Sequence, residues 1–125
     1  MSTALAQTHR ELEVIVVVDG RDDETVRTMS GITDARVRVH VPDRHLGNAD
    51  ARNEGVRLAH AKWIALLDDD DEWLPRKVEL QLDAAHKGGT EFPIVSCRLI
   101  ARDERGDRVW PRSLAEPGED MSEYF

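Results

Sequence analysis

Leu12-Glu13-Val14-Ile15-Val16-Val17-Val18-Asp19-Gly20 decides the fold class of this 125-residue chain. Residues 12–18 are β-branched and almost wholly apolar, the pattern of a strand covered on both faces, as parallel strands are. Asp19-Gly20 breaks the run at the strand's carboxyl end. Downstream, Trp63-Ile64-Ala65-Leu66-Leu67 is a second such run. It predicts a buried strand over 62–67 that stops abruptly at Asp68.

Between these runs the pattern switches to helix and back. Asp22 and Asp23 are placed to cap a short helix near 24–30, and Gly31 to end it. Residues 36–41 alternate, as a half-exposed edge strand does. Pro42 to Asn48 reads as loop. A helix over 49–60 carries the small-residue stripe Ala51, Gly55, Leu58 and Ala59, with Gly55 expected to let helix and sheet approach closely. A further helix runs from about Pro75 to about His86, with Val78, Leu82 and Ala85 as its apolar stripe and Gly88-Gly89 as its stop. A strand over 93–101 carries Cys97, and a turn at Gly106 leads to a short strand at 108–110. Residues 1–10 read as the end of a helix, and 114–125 as an acidic, poorly ordered tail. Strands alternating with helices predict one α/β domain with a mainly parallel sheet.

Composition narrows the function. Lys and Arg number 17 against 25 Asp and Glu, a formal net charge of −8. That sign opposes a partner held by phosphate-backbone contacts, so no nucleic acid is expected. The longest apolar runs, 14–18 and 63–67, are far too short for a membrane span, and no basic-then-apolar leader opens the chain. A single cysteine forms no internal disulfide, which fits a reducing cytoplasm.

Ligands of parallel α/β sheets bind at the carboxyl ends of strands. Both buried strands end in acid there, one at Asp19 and the other at Asp68-Asp69-Asp70-Asp71-Glu72. In an extended segment Asp68 and Asp70 point the same way. Two carboxylates that close call for a cation between them, and Mg²⁺ or Mn²⁺, completed by substrate phosphates, is the natural occupant. Asp71 and Glu72 read instead as partners of the dipole of the helix near Pro75, and Asp23 as a structural cap.

Three blocks occur in a telling order: Glu13 to Gly20, then Gly47-Asn48-Ala49-Asp50-Ala51-Arg52-Asn53-Glu54-Gly55, then Leu66-Leu67-Asp68-Asp69-Asp70-Asp71-Glu72-Trp73. Together they resemble the nucleotide-sugar-binding half of family 2 glycosyltransferases of the GT-A fold. The resemblance implies an incomplete Rossmann-like sheet of the GT-A type. It implies an enzyme that moves a sugar from a nucleotide-diphosphate-sugar to an acceptor hydroxyl with inversion, helped by Mn²⁺ or Mg²⁺. The acceptor is a saccharide, a lipid or another hydroxyl compound. Asp68, Asp69 and Asp70 match the family's Asp-x-Asp, which holds the metal and the donor diphosphate and ribose; Asp68 and Asp70 are the implied metal ligands, with Asp70 the principal one. Asp19 matches the acid that binds the base or ribose. Arg52 and Asn53 match a helix bordering the donor, where Arg52 faces phosphate; an outward Arg52 paired with a neighbouring acid is the competing reading.

Other residues are read more plainly. Arg44 and His45 lie in the loop before that helix, where contact with the nucleotide is the competing reading, and are read as solvated loop residues. Trp73 is a packing residue, His60 and His86 complement helix dipoles, and Cys97 is an inert core residue. The chain departs from the family in carrying Val18 before Asp19, where many members have two acids. The family's initial central strand is expected to be missing before Met1, and its general base to lie beyond Phe125. The expectation is therefore a partial donor-binding domain, cytoplasmic or at the cytoplasmic face of the membrane. Two other readings compete: a non-catalytic nucleotide-binding module, and a phosphorylatable receiver. The receiver needs a Lys after its fifth strand, where this chain offers Arg98 and Arg102.

Overall fold

The computed structural model describes residues 1–20 and 22–112; the tail expected over 114–125 lies outside them. The elements run α1 (Ser2–Leu5), β1 (Val14–Val17), α2 (Asp23–Ser30), β2 (Val37–His40), α3 (Asn48–Leu58), α4 (Lys77–Lys87), β3 (Leu99–Asp103) and β4 (Gly106–Trp110). The chain forms two compact units, Met1–Leu80 and Gln81 onward. No helix among the described residues is long and apolar enough to cross a membrane.

The first unit is built on a parallel pair. β1 lies beside β2 in a register running from Val14↔Val37 to Val17↔His40. The crossover needed to bring two strands parallel is α2. Its N-cap is Asp22, whose carboxylate accepts from the N–H groups of Glu24 and Thr25; Asp23 is the first helical residue rather than the cap. α3 then packs on β1, with Ala51, Gly55, Leu58 and Ala59 half-buried along one stripe. A Cβ on Gly55 would stand 3.5 Å from Val17 Cγ2. That is an ordinary contact, so helix and sheet do not require glycine there.

The second expected strand of this unit does not form. Residues 62–67 join no ladder, and Ile64 and Leu66 are 45% and 57% exposed. A strand exists by virtue of its partner's hydrogen bonds, and the sheet holds only β1 and β2 among the described residues. The same shortage leaves all four β1 residues half-buried rather than covered on both faces; Val18, just beyond, is 6% exposed.

A polar staple closes the unit. Gln7 is fully buried. Its amide nitrogen donates to Thr3 O (3.1 Å) and Leu74 O (2.8 Å), and its oxygen accepts from Val78 N–H (3.0 Å). Gln7 thus supplies, from the far end of the sequence, an acceptor for one of the unpaired amides in the first turn of α4. That turn begins at Lys77, two residues after Pro75.

In the second unit β3 and β4 form an antiparallel hairpin, Leu99↔Trp110 to Asp103↔Gly106. The strand expected over 93–101 forms only from Leu99; Ile94 is 98% exposed, and Cys97 is exposed rather than in a core. Ala85, on the predicted stripe of α4, is buried.

Candidate functional site

The site is framed by two acids that flank β1 and grip the two ends of α3. At the carboxyl end, Asp19 Oδ1 accepts from Leu46 N–H at 2.6 Å and Asp19 Oδ2 from Gly47 N–H at 2.8 Å. His45 Nδ1 stands 3.1 Å from the same Oδ2. Gly47 is the N-cap of α3 and adopts φ 84°, a left-handed backbone that favours glycine. Leu46 N–H foremost, then Gly47 N–H and His45, hold the Asp19 carboxyl below the usual aspartate range. Hydrogen bonds to the charged form have that effect.

At the amino end, Glu13 Oε1 accepts from the N–H groups of His60 (2.7 Å) and Ala61 (3.0 Å), just past α3. Glu13 Oε2 meets Arg38 at 3.4 Å, and Arg38 in turn donates to Leu58 O at 2.9 Å. The His60 N–H is the main cause that lowers the Glu13 carboxyl. α3 therefore runs antiparallel to β1, with its positive amino end beside Asp19.

Arg52 lies five residues beyond Gly47, roughly 7.5 Å along the helix axis. Its Nη2 donates to Asp68 Oδ1 at 2.6 Å. The side chains are 43% and 53% exposed, so this is a surface pair. Of the residues that the sequence nominated, the structure thus brings Arg52 to Asp68 and ties Asp19 to the amino end of the same helix.

Asp68 to Asp71 is not extended. Asp71 N–H donates to Asp68 O at 3.2 Å, with Asp69 and Asp70 in the turn. The alternation that was to aim Asp68 and Asp70 at one point is therefore lost, because the strand preceding them has no ladder to prolong. No group of three or more His, Cys, Asp or Glu side chains among the described residues is disposed to hold a metal. The donor chemistry nonetheless suits a hard dication: the carboxylates of 68–72 are all exposed. Such an ion takes one or two carboxylates and completes its shell with water and phosphate oxygens.

The remaining nominated residues sort clearly. His45 is held by Asp19 rather than solvated alone. Arg44 lines an open hollow of about 470 Å³ with His40, Asp43, Leu46, Glu54 and Arg57. Trp73 carries the Lys77 ammonium 3.8 Å from its ring centroid, a cation–π contact. His60 bonds Glu13 besides sitting past a helix end. Sequence reasoning missed Glu13, Arg38 and Gln7. Nothing in a one-dimensional pattern marks a glutamate at a strand's start as the acceptor for amides 47 residues away.

Comparison with known proteins bears on this site. The sequence model of glycosyl transferase family 2 matches residues 1–121. The succinoglycan biosynthesis protein ExoO of Rhizobium meliloti is 34% identical over 88% of this chain and 32% of its own length. The Escherichia coli protein WfgD, named UDP-Glc:alpha-D-GlcNAc-diphosphoundecaprenol beta-1,3-glucosyltransferase, is 32% identical over 80% of this chain and 40% of its own. The putative teichuronic acid biosynthesis glycosyltransferase TuaG of Bacillus subtilis is 31% identical over 81% of this chain and 41% of its own. The chain thus spans about a third to two-fifths of the length of these relatives. No solved structure matches.

Proposed function

Because the chain belongs to glycosyl transferase family 2, we propose that it supplies the donor-binding part of a glycosyltransferase. The reaction is transfer of a sugar from a nucleotide-diphosphate-sugar to an acceptor hydroxyl, with inversion. The acceptor oxygen bonds the anomeric carbon from behind as the bond to the diphosphate oxygen breaks and its electron pair leaves with the phosphate. The acceptor's proton passes to a base that no residue of this chain is assigned to be.

The observation that carries this reading is the junction of Arg52 with Asp68, on a helix whose amino end is fixed by Asp19. A guanidinium beside a carboxylate run, on a helix whose amino end is capped, supports the reading because a diphosphate with its cation would call for both kinds of group. In this reading Asp68 and Asp70 would hold the divalent ion, Asp69 would stand beside them at the donor, and Arg52, now on Asp68, would turn to phosphate. Asp19 keeps one lone-pair direction of Oδ1 for the base or ribose, since its other bonds are already made. The family generally works with a divalent metal; Mn²⁺ or Mg²⁺ would supply Lewis-acid neutralisation of the departing diphosphate. Action in the cytoplasm, on a donor made there, is part of the same proposal. Family membership sets aside the receiver reading.

Uridine diphosphate is the first probe, because the WfgD relative is named for a UDP-sugar. Calorimetry should find that Mn²⁺ strengthens its binding, and that Asp70→Asn removes most of the gain. An equal metal dependence in the wild type and Asp70→Asn would overturn the assignment.

A further inference from the structure

On the β2 side of α3 lies a hollow that the donor-site reading does not use. It is open to solvent and has a volume of about 470 Å³, within the range of small-molecule sites. Two residues of α3, Glu54 and Arg57, line it, and Glu54 Oε1 stands 3.5 Å from His40 Nε2 at the end of β2. Arg52 precedes Glu54 by two residues, roughly 200° around the helix, so its bond to Asp68 lies on the opposite flank. The body of α3 separates the hollow from the Arg52–Asp68 junction.

The loop that forms the rim is fixed at both ends. β2 holds it at His40, the ring of Pro42 restricts its backbone, and Leu46 N–H is held by Asp19 Oδ1 at 2.6 Å. Val41, Pro42 and Leu46 give the hollow an apolar wall. Glu54 is neutralised where it stands, its Oε2 accepting from Arg57 Nε at 3.0 Å. Arg44 and Asp43 also line the hollow, and among the described residues neither has an ion-pair partner. A free guanidinium is a fork for phosphate oxygens, a free carboxylate accepts from hydroxyl groups, and an apolar wall takes C–H surface out of water. A simple anion would use the first and be repelled by the second, whereas a neutral sugar would use only the second and third. We infer that this hollow is a second binding site, for a sugar phosphate. Arg44 takes the phosphate, Asp43 accepts from ring hydroxyls, and the C–H face of the ring lies on Val41, Pro42 and Leu46. The inference stands apart from the donor-site reading, because it uses none of the residues assigned there to metal or phosphate.

The test titrates the chain with glucose 6-phosphate, inorganic phosphate and glucose, followed by NMR at the Arg44 side chain and the amides of His40, Val41 and Leu46. Glucose 6-phosphate should bind about ten-fold more tightly than either half alone, since each half forgoes one kind of contact. Arg44→Gln should weaken it about ten-fold, the loss of a charge-assisted bond, and Arg44→Lys, which keeps the charge without the fork, should weaken it less. Asp43→Asn supplies a sign test. It should weaken glucose 6-phosphate roughly three-fold, because a neutral acceptor is the poorer one, and strengthen inorganic phosphate, whose repulsion it removes. If Asp43→Asn strengthens both alike, the hollow is only a diffuse attraction for anions and the site is overturned. Glucose 6-phosphate binding no more tightly than inorganic phosphate would overturn it as well. Arg52→Gln should leave the binding of glucose 6-phosphate unchanged, and uridine diphosphate with Mn²⁺ should not displace it. Displacement, or loss of binding in Arg52→Gln, would put the ligand at the donor site and refute a second one.

Discussion

Replacing Gln7 with leucine should destabilise the first unit out of proportion to the size of the change. The side chain is fully buried, and the substitution nearly preserves its volume, so no large cavity opens. What disappears is polar pairing. Leu74 O keeps a second donor in Lys77 N–H, at 3.0 Å. Thr3 O and Val78 N–H lose the partner that Gln7 gave each of them. An orphaned, partly buried polar group costs about 1–3 kcal/mol, so two of them give a loss of roughly 2–6 kcal/mol. For a chain of this length each kcal/mol shifts Tm by about 3–5 °C. The assay is urea unfolding followed by tryptophan emission, with amide exchange at Val78 to separate global opening from fraying of the 73–79 staple. Gln7→Glu supplies the sign test. It still accepts from Val78 but cannot donate, and burial raises a carboxyl's pKa. Its penalty should therefore be full above that raised value and relieved as pH falls through it. A loss under about 0.5 kcal/mol for Gln7→Leu, or no acid rescue of Gln7→Glu, would refute the staple.

Gly55→Ala should stabilise the chain by about 1 kcal/mol in urea unfolding, since a Cβ meets only ordinary contact at Val17 and alanine is the better helix former. Asp34 is held down to about 2, chiefly by the Arg36 side chain and then by its backbone N–H. Its folded value lies below its unfolded one, so its contribution is complete above the unfolded value and lost as pH falls toward 2; carboxyl NMR should show Arg36→Gln raising the titration part of the way, because the backbone N–H bond remains. Glu79 is likewise held at about 2, first by Arg76 and then by Thr8, so Arg76→Gln should raise its titration further than Thr8→Val does. Val14 and Val18 give their N–H groups to Arg36 O and His40 O. Their amides should exchange more slowly than those of Ile15 and Val17, which alternate to the other edge, and residues 64–66 should exchange fastest of all.

Legibility in the sequence followed the range of the forces. β1, α2, β2 and α3 were readable because each is declared by its own residues: the β-branched run, Asp22 at a cap, the alternation at 36–41, the small-residue stripe of α3. The apolar runs at 62–67 and 93–98 carry the same local signature, but a strand also needs a neighbour, and periodicity does not say whether one is present. The error passed on to the site. The geometry of Asp68 and Asp70 was argued from an extended strand end, and with no ladder before them the acids fold into a turn. Cys97 fell the same way, exposed where a core strand was expected. Arg52 paired with an acid was legible as one of two alternatives, but that the acid is Asp68 was not. Glu13 and Gln7 were illegible because each earns its position through bonds to backbone groups far along the chain.

The two halves of the candidate site consequently differ in kind. Asp19 and Arg52 sit on a frame that closes on itself: β1 fixes Asp19, Asp19 fixes Gly47, Gly47 starts α3, and Glu13 at the other end of β1 holds the residues where α3 stops. Displacing Arg52 would require breaking bonds at one end of that loop or packing along it. Asp68 has no such frame; its described side-chain tie is to Arg52, a bond between two exposed groups. The physical division follows from ladders: Asp19 and Arg52 stand where the parallel pair stabilises the backbone, and Asp68 stands where no ladder forms among the described residues. A neighbouring strand pairing with 62–67 would convert the second half to the first kind by extending order into Asp68 and restoring the alternation that aims Asp70 with it. The geometry of these acids is thus set by the sheet rather than by the run, and five consecutive acids supply charge without by themselves fixing where it points.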